Sequence, residues 1–583
     1  MINAAVRLLS GNGFNLGWII ISAFLIGLFY TQFIYVVYPF KKLFNKVFPF
    51  TSDVDRNNFP SGMVIVPSLL RDEYDLKEII RAVDSCATNN YPGELHIIAS
   101  ADGRSENPTV YQKLVNWVNS CNYSKNIHLH TSYNEVRQGK LVAVYAAINY
   151  MKNLIKSGKL SSMPVVYFSV DADETVSNGS LQKLVEKLMT KHWLTGNYRK
   201  VVCGQVCINK GDMWKGWRSF FTIAGQNYLF VARNFFSFSA MQENINILPM
   251  PILLGQLYVS WSDMIITAPK FMGWLETIKY SDYIKWWFGK SLPKFSEYDG
   301  EEIPQALCGN TDDSSLAVFV AMSHWGKNGK LSWDPPPTPL HSFVRFIFDS
   351  FIERIQGFEQ SAKVYTFTPP TLKSLFSQRK RWMACRVETS GRFFKGFLFY
   401  WSIAIPFYGD YLRCVYWSFH AVVFYMLLPF LAWHDKSVLD GLMFIYMITY
   451  TMQFLYLFMV WFFEEKKEQF THLFLTAIFI PITHVFMFVF YSMTTFVGVC
   501  EDIFLNGCNV KFYPTRTLIA SRAQRIAILY RIRRFVSCCW RSITKGDIPL
   551  GWFWISWYAK PEYNLTNGFT GWTKDHKSDY ILR

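Results

Sequence analysis

The chain is poor in paired cysteine, in acidic residues and in charge overall. Its 11 Cys among 583 residues stand mostly singly. Cys203 and Cys207 have a metal-like spacing, but no second pair and no nearby His accompany them, and Cys538-Cys539 lies inside a basic segment. These absences exclude a zinc-finger framework and a disulfide scaffold, and imply reduced, structural thiols in a compartment without disulfides. Charged residues make up only 17%, and 43 Asp and Glu against 59 Lys and Arg leave a formal net charge of +16. That deficit of acid implies an anionic partner: nucleic acid, phospholipid headgroups or a phosphorylated substrate. The N-terminal region also has no basic n-region and no small-residue cleavage site, so its apolar run reads as a signal anchor rather than a removed signal peptide.

What the chain does hold is apolar and aromatic. Hydrophobic residues reach 51% and aromatics 18%, with 52 Phe, 32 Tyr and 21 Trp. That load suits a protein that meets lipid, sugar or both. Gly17–Phe40, Tyr416–Trp433, Leu442–Phe463 and Leu473–Val499 are each close to or beyond the roughly 20 residues a bilayer span needs. With such runs beside the basic clusters, nucleic acid is excluded as the partner. Lys41, Lys42 and Lys46 follow the first run and place the chain after residue 40 in the cytoplasm. Arg392–Tyr408 is amphipathic and reads as an interfacial helix. The basic C-terminal tail, with Arg516, Arg522, Arg525, Arg531, Arg533, Arg534 and Arg541, should also be cytoplasmic. Four spans leave it outside, so either Arg392–Tyr408 spans or the last run turns back near Pro481.

Between residues 60 and 340 the pattern changes. Apolar β-rich runs at Met63–Pro67, Leu95–Ser100, Val165–Val170 and Val201–Ile208 alternate with helical patterns such as Leu76–Cys86 and Lys140–Ile155. The alternation predicts βαβ units, a mainly parallel sheet, and ligands at the carboxyl ends of its strands. Residues 271–306 fit the strand pattern poorly and read as an insertion.

The acids at those strand ends carry the chemistry. Val170-Asp-Ala-Asp173 closes one apolar strand, so strand alternation sets Asp171 and Asp173 on one side. Two carboxylates there repel unless a divalent cation lies between them, and oxygen ligands suit Mg²⁺ or Mn²⁺ bridging a diphosphate. Asp102 closes another strand, and Gly103 after it lets the backbone turn tightly. Single Asp residues at strand ends are also ordinary turn formers; it is two such ends in one domain that favour a site. Thr311-Asp-Asp-Ser-Ser precedes a helical run, where Asp313 is either a helix cap or a general base. His324 reads as a packed residue, and Arg531–Lys545 as a membrane-surface clamp or a site for a regulator or partner subunit. Asn564-Leu-Thr566 matches a glycosylation sequon that has no meaning on a cytoplasmic tail.

In order along the chain, ADG (Asp102), DAD (Asp171, Asp173), TDD (Asp313) and QRKRW (Gln378, Arg381, Trp382) resemble the D, DxD, TED/GDD and QxxRW series of processive family-2 glycosyltransferases. That family includes the membrane synthases of cellulose, chitin, hyaluronan and alginate. MVIVPSLLRDEYDLKEIIRAVDSC looks like its first strand and helix, with Glu73 near a nucleotide-binding acid, and RQGKLVAVYAAINY places Lys140 near the diphosphate. The segment around Gly255 is similar to the acceptor-side run, without its usual basic residue, and GKNGKLSWDP matches the run after the catalytic helix.

The resemblance implies an α/β GT-A-type glycosyltransferase domain, with a mainly parallel sheet, embedded between transmembrane and interfacial α-helices. In that layout residues 1–45 hold the N-terminal transmembrane helix and 60–390 the cytoplasmic catalytic domain. Residues 391–410 form the interfacial helix, 411–500 the transmembrane helices and 501–583 the basic tail. It further implies an integral, multi-pass protein of the plasma membrane. The implied reaction is an inverting, hexosyltransferase-type transfer from a nucleotide-sugar, UDP-sugars first, to a polysaccharide acceptor translocated across the membrane. Asp102 would contact the nucleoside, Asp171 and Asp173 the metal and diphosphate, and Asp313 would act as base. Gln378, Arg381 and Trp382 would form the lid side. The partners implied are donor, polymer and membrane lipids, and an oligomer or accessory subunits are compatible with it. A single-transfer family-2 enzyme acting on a lipid-linked acceptor is the alternative. No FxVTxK-like gating loop or WGTR-like sequence is present, which leaves the sugar open.

Overall fold

The computed structural model describes residues 58–208, 257–300, 312–348 and 356–366 apart from 138, 327 and 328. It also describes short pieces within 47–55, 393–404 and 562–571, and residues 302 and 433. The apolar runs expected to span the membrane, Gly255, and Gln378, Arg381 and Trp382 lie outside the described residues. Among those described, no helix is long and apolar enough to cross a membrane.

One sheet of eight strands organises the domain. Its strands are β1 (Gly62–Ser68), β2 (Leu95–Asp102), β3 (Ile127–Asn134), β4 (Val166–Val170), β5 (Glu174–Val176), β6 (Val201–Ile208), β7 (Leu257–Trp261) and β8 (Gln356–Thr366). They lie in the order β3-β2-β1-β4-β7-β6-β8-β5. The pairs β2–β3, β1–β2, β1–β4 and β6–β8 are parallel, while β7 and β5 run against their neighbours. The expected mainly parallel α/β sheet is therefore present. Continuous apolar runs such as MVIVP read as strands buried on both faces, and every residue of β1 and β2 is buried.

The helices that position the site are α1 (Glu73–Ala87), α2 (Pro108–Ser120), α3 (Lys140–Lys156) and α4 (Ser180–Leu188). Asp72 caps α1 by accepting the N–H groups of Tyr74 and Asp75, each at 2.9 Å. Leu76, Ile79, Val83 and Cys86 then fall on its buried side, the helical spacing that the sequence shows. From β1 to β2 to β3 the chain moves one way along the sheet, and from β3 to β4 it moves back past β1. Right-handed crossovers in opposite directions put α1 and α2 on one face and α3 on the other.

The described part of the stretch 271–306, read as an insertion, is largely helical. It contains the end of α5 (Ser262–Thr277), α6 (Tyr280–Trp287) and a turn of 3₁₀ helix at Phe295–Glu297. Further on come α7 (Asp312–Met322) and α8 (Pro339–Phe348). Phe271 of α5 and Phe319 of α7 meet at 5.3 Å, and Phe319 stacks on Trp333 at 4.9 Å. Phe393, Phe397, Phe399 and Tyr400, from the segment expected to lie in the membrane interface, are buried in the same aromatic core.

Four places separate β4 from β5 in the sheet, about 19 Å if it were flat. Yet the chain joins Val170 to Glu174 in four steps, at most about 14 Å, and the Glu174 N–H donates to the Asp171 carbonyl at 3.2 Å. The sheet must therefore curl, returning its β8–β5 edge to the carboxyl end of β4. α1 ties this curl down: Ser85 Oγ accepts the Val176 N–H at 3.0 Å, and Asn89 Nδ2 donates to the Ser177 carbonyl at 2.8 Å.

Under α3, His96 of β2 stacks with His128 and His130 of β3, at ring distances of 4.9 and 5.4 Å. Glu94 stands 3.3 and 3.2 Å from the Nε2 atoms of His96 and His128. Burial, then His96 and His128, lowers the His130 pKa to about 4, and burial also lowers His96. A depressed folded value means that unfolding takes up protons below the unfolded value near 6.5. Stability is therefore expected to be full above that pH and, through His130, to fall as pH drops from about 6.5 to about 4 by about 1 kcal/mol per unit, with His96 acting in the same direction. Thermal unfolding across that range should show it, and His130→Gln should flatten it. An unchanged slope in the variant would assign the acid sensitivity elsewhere.

Candidate active site

The strand order reverses between β1 and β4, and open α/β sheets bind ligands at the carboxyl ends beside such a point. Asp102 ends β2, Asp171 follows β4, and Lys140 opens α3 after β3. Three separate stretches of sequence thus converge there.

Asp102 is 1% exposed, and its Oδ2 accepts the Gly139 N–H at 2.7 Å. It thereby fixes the turn that delivers Lys140, whose Nζ lies 2.5 Å from Asp171 Oδ1. Lys140 and Asp171 are each roughly a quarter to a third exposed, so water screens the pair only in part. Gly103 adopts φ +95°, and a Cβ there would stand 3.0 Å from the Arg137 Cβ. Gly103→Ala is expected to cost about 1–2 kcal/mol in backbone strain and to lower activity by displacing the turn beside Asp102. Gly158→Ala is the control, with a similar φ of +72° but open space around it. Equal activity losses in the two variants would remove Gly103 from the site.

The acids gather by a turn rather than by strand alternation. β4 ends at Val170, and Asp171–Glu174 closes on itself, with the Asp171 N–H donating to Glu174 Oε2 at 3.0 Å. One carboxylate oxygen from each of Asp171, Asp173 and Glu174 falls within 4.8 Å of the others. Glu174 is fully buried, and its Oε1 finds no hydrogen-bond partner among the described residues. Burial pushes its carboxyl well above the usual carboxylate range, with Asp171 and Asp173 pushing the same way against the Asp171 N–H and Lys140. An orphaned buried oxygen facing two more carboxylates fits a hard divalent cation such as Mg²⁺ or Mn²⁺, which takes oxygen ligands.

Glu174 and Arg81 are the residues that the sequence reading missed. Glu174 stands beside the DAD motif but reads as the first residue of a strand. Arg81 donates to the Asp173 carbonyl at 3.4 Å and pairs with Glu78; on the sequence it is one more exposed helical cation. Glu73 is placed differently from the other candidates: it is exposed and paired with Lys113 of α2. Asp313 lies in the first turn of α7. The far end of that helix is anchored by Lys200 Nζ and Arg345 Nη2, which donate to the Ser323 carbonyl at 2.7 and 3.0 Å. Cations suit a helix C-terminus. His324 next to it is a packed residue, held at about 2 by burial and then by Arg345 and Lys200.

No family model matches the chain, and no curated protein matches it. Among solved structures it is similar to the mannosyltransferase PcManGT from Pyrobaculum calidifontis in complex with GDP-Man and Mn²⁺. That likeness has 12% identity and a TM-score of 0.38, over 82% of this chain and 98% of the other. It is also similar to GalNAc-T7 with UDP, GalNAc and Mn²⁺, at 11% identity and a TM-score of 0.27, over 57% of this chain and 51% of the other. At these values neither likeness bears on the chemistry of this chain.

Proposed function

We propose that the chain is a glycosyltransferase using a nucleotide-sugar donor, with residues 60–390 as its GT-A-type domain on the cytoplasmic side of a multi-pass membrane protein. The observation that carries this reading is the meeting of Asp171, Asp173 and Glu174 with Lys140 at the carboxyl ends of a parallel sheet. Transfer from such a donor releases a diphosphate, and the charge it gathers in the transition state needs fixed positive groups beside it. A divalent cation held by Asp171, Asp173 and Glu174 would neutralise that diphosphate. Lys140 and the amino end of α3 add further positive character, and Asp102 keeps that end in place. Asp313 takes the proton of the acceptor hydroxyl as its oxygen attacks the anomeric carbon and the bond to the diphosphate breaks. Attack opposite the leaving group inverts the anomeric centre and gives a β-linkage.

The finer reading is a processive hexosyltransferase of the family-2 type, extruding its polymer through the plasma membrane. It rests on the likeness of Gln378, Arg381 and Trp382 to the QxxRW motif, and on their place between the α/β domain and the apolar runs. Arg381 would face the diphosphate and Trp382 the C–H face of a pyranose, with the run at Gly255 on the acceptor side.

The test is a donor screen on the full chain in nanodiscs, with UDP- and GDP-sugars, in Mg²⁺, Mn²⁺ or chelator. Cation-dependent release of nucleoside diphosphate with a ladder of products is expected. One added sugar would select the single-transfer alternative, and no release from any donor would overturn both.

A further inference from the structure

Helix α8 has its polarity inside out. Ser342 and Phe346 face the domain, while Leu340, Phe343, Val344 and Ile347 are exposed. Positions i, i+3, i+4 and i+7 form one stripe of a helix, and on a solvated surface that stripe is polar. α6 repeats the pattern, burying Tyr283 and Trp286 while Ile284 and Trp287 stand out, with Phe288 just beyond and 83% exposed.

The two helices share one face. The Trp286 Nε1–H donates to the Pro336 carbonyl at 2.8 Å, just before α8. The segment 395–401 packs against both: Ser342 Oγ donates to the Phe399 carbonyl at 2.6 Å, Tyr283 stacks on Phe399, and Trp287 meets Trp401 at 5.7 Å. Seven large apolar side chains are thereby left uncovered around one junction. A patch of that kind marks a site of interaction.

We propose that the α6–α8 face docks on a lipid bilayer, seating its aromatic and aliphatic side chains at the boundary between headgroups and acyl chains. One further observation selects lipid. Tyr416, where a run long enough to span begins, is twelve residues beyond Ala404, the last described residue of the segment packed between the helices. The exposed face therefore lies where the chain approaches the membrane. Neither the donor nor the acids at β4 enter into this, so failure of the donor screen leaves it standing. Retention of the chain in alkali-washed membranes tests the spans separately.

Photo-crosslinking decides it. The full chain carries p-benzoylphenylalanine in place of Phe288, Phe343 or Tyr74, the last an exposed position on α1, in nanodiscs of mixed phosphatidylcholine and phosphatidylserine. Phospholipid adducts at Phe288 and Phe343 should exceed those at Tyr74 by about tenfold. Adducts to a second copy of the chain, or no excess over Tyr74, would overturn the proposal.

Discussion

Asp313→Asn is expected to slow transfer by about three orders of magnitude while leaving donor affinity within about threefold. The variant separates the two readings of this position because Asp313 is the second residue of α7, where an amide forfeits only a carboxylate's attraction to the helix amino end, about 0.3–1 kcal/mol. If residue 313 serves only to start α7, the amide replaces it at little cost. If it accepts the proton of the acceptor hydroxyl, the amide cannot. Farther along the helix, Phe319 stacks on Trp333, and Lys200 and Arg345 hold the Ser323 carbonyl. Single-turnover product formation, read beside donor titration, measures both quantities. Normal turnover in the variant would take Asp313 out of the mechanism.

The second large effect is on cation dependence. Asp173→Asn and Glu174→Gln are each expected to raise the Mg²⁺ or Mn²⁺ concentration for half-maximal nucleotide release by about tenfold to a hundredfold, since each removes an anionic oxygen ligand. Glu174→Gln is the sharper probe. Its amide oxygen can still accept the Asp171 N–H that Glu174 Oε2 accepts at 3.0 Å, so the turn should survive and the melting temperature should hold. A lowered melting temperature with unchanged cation dependence would make Glu174 a structural residue only. Unchanged dependence in both variants would remove the acid cluster as a cation site.

Much of this domain is legible in the sequence because burial on both faces of a parallel sheet leaves unbroken apolar runs. Val201–Ile208 is a strand over the span read for it, and Lys140 opens a helix as its pattern predicts. β3 goes unread because it lies at the sheet edge, where Ile127-His-Leu-His alternates instead of running apolar. β5 is three residues long, too short for any periodicity. The convergence of Asp102, Lys140 and Asp171 follows from strand ends and is visible in advance. Glu174 is not, because its role arises from a turn and a curled sheet, and neither leaves a periodic trace. Glu73, an acid in a recognisable place, is paired with Lys113 of α2, a contact that no pattern in the sequence announces.

The curl of the sheet also sets a leash. Thr366, the last residue of β8, is the register partner of Glu174, and Gln378 follows it by twelve residues. Twelve residues reach at most about 40 Å when fully extended. The basic run Ser377–Arg386 is therefore tethered to the strand that borders the acid cluster, whatever path it takes. A Gly-Ser insertion between Thr366 and Gln378 would lengthen that tether without touching either end. It is a way to ask how closely the two must be held for a sugar to pass between them.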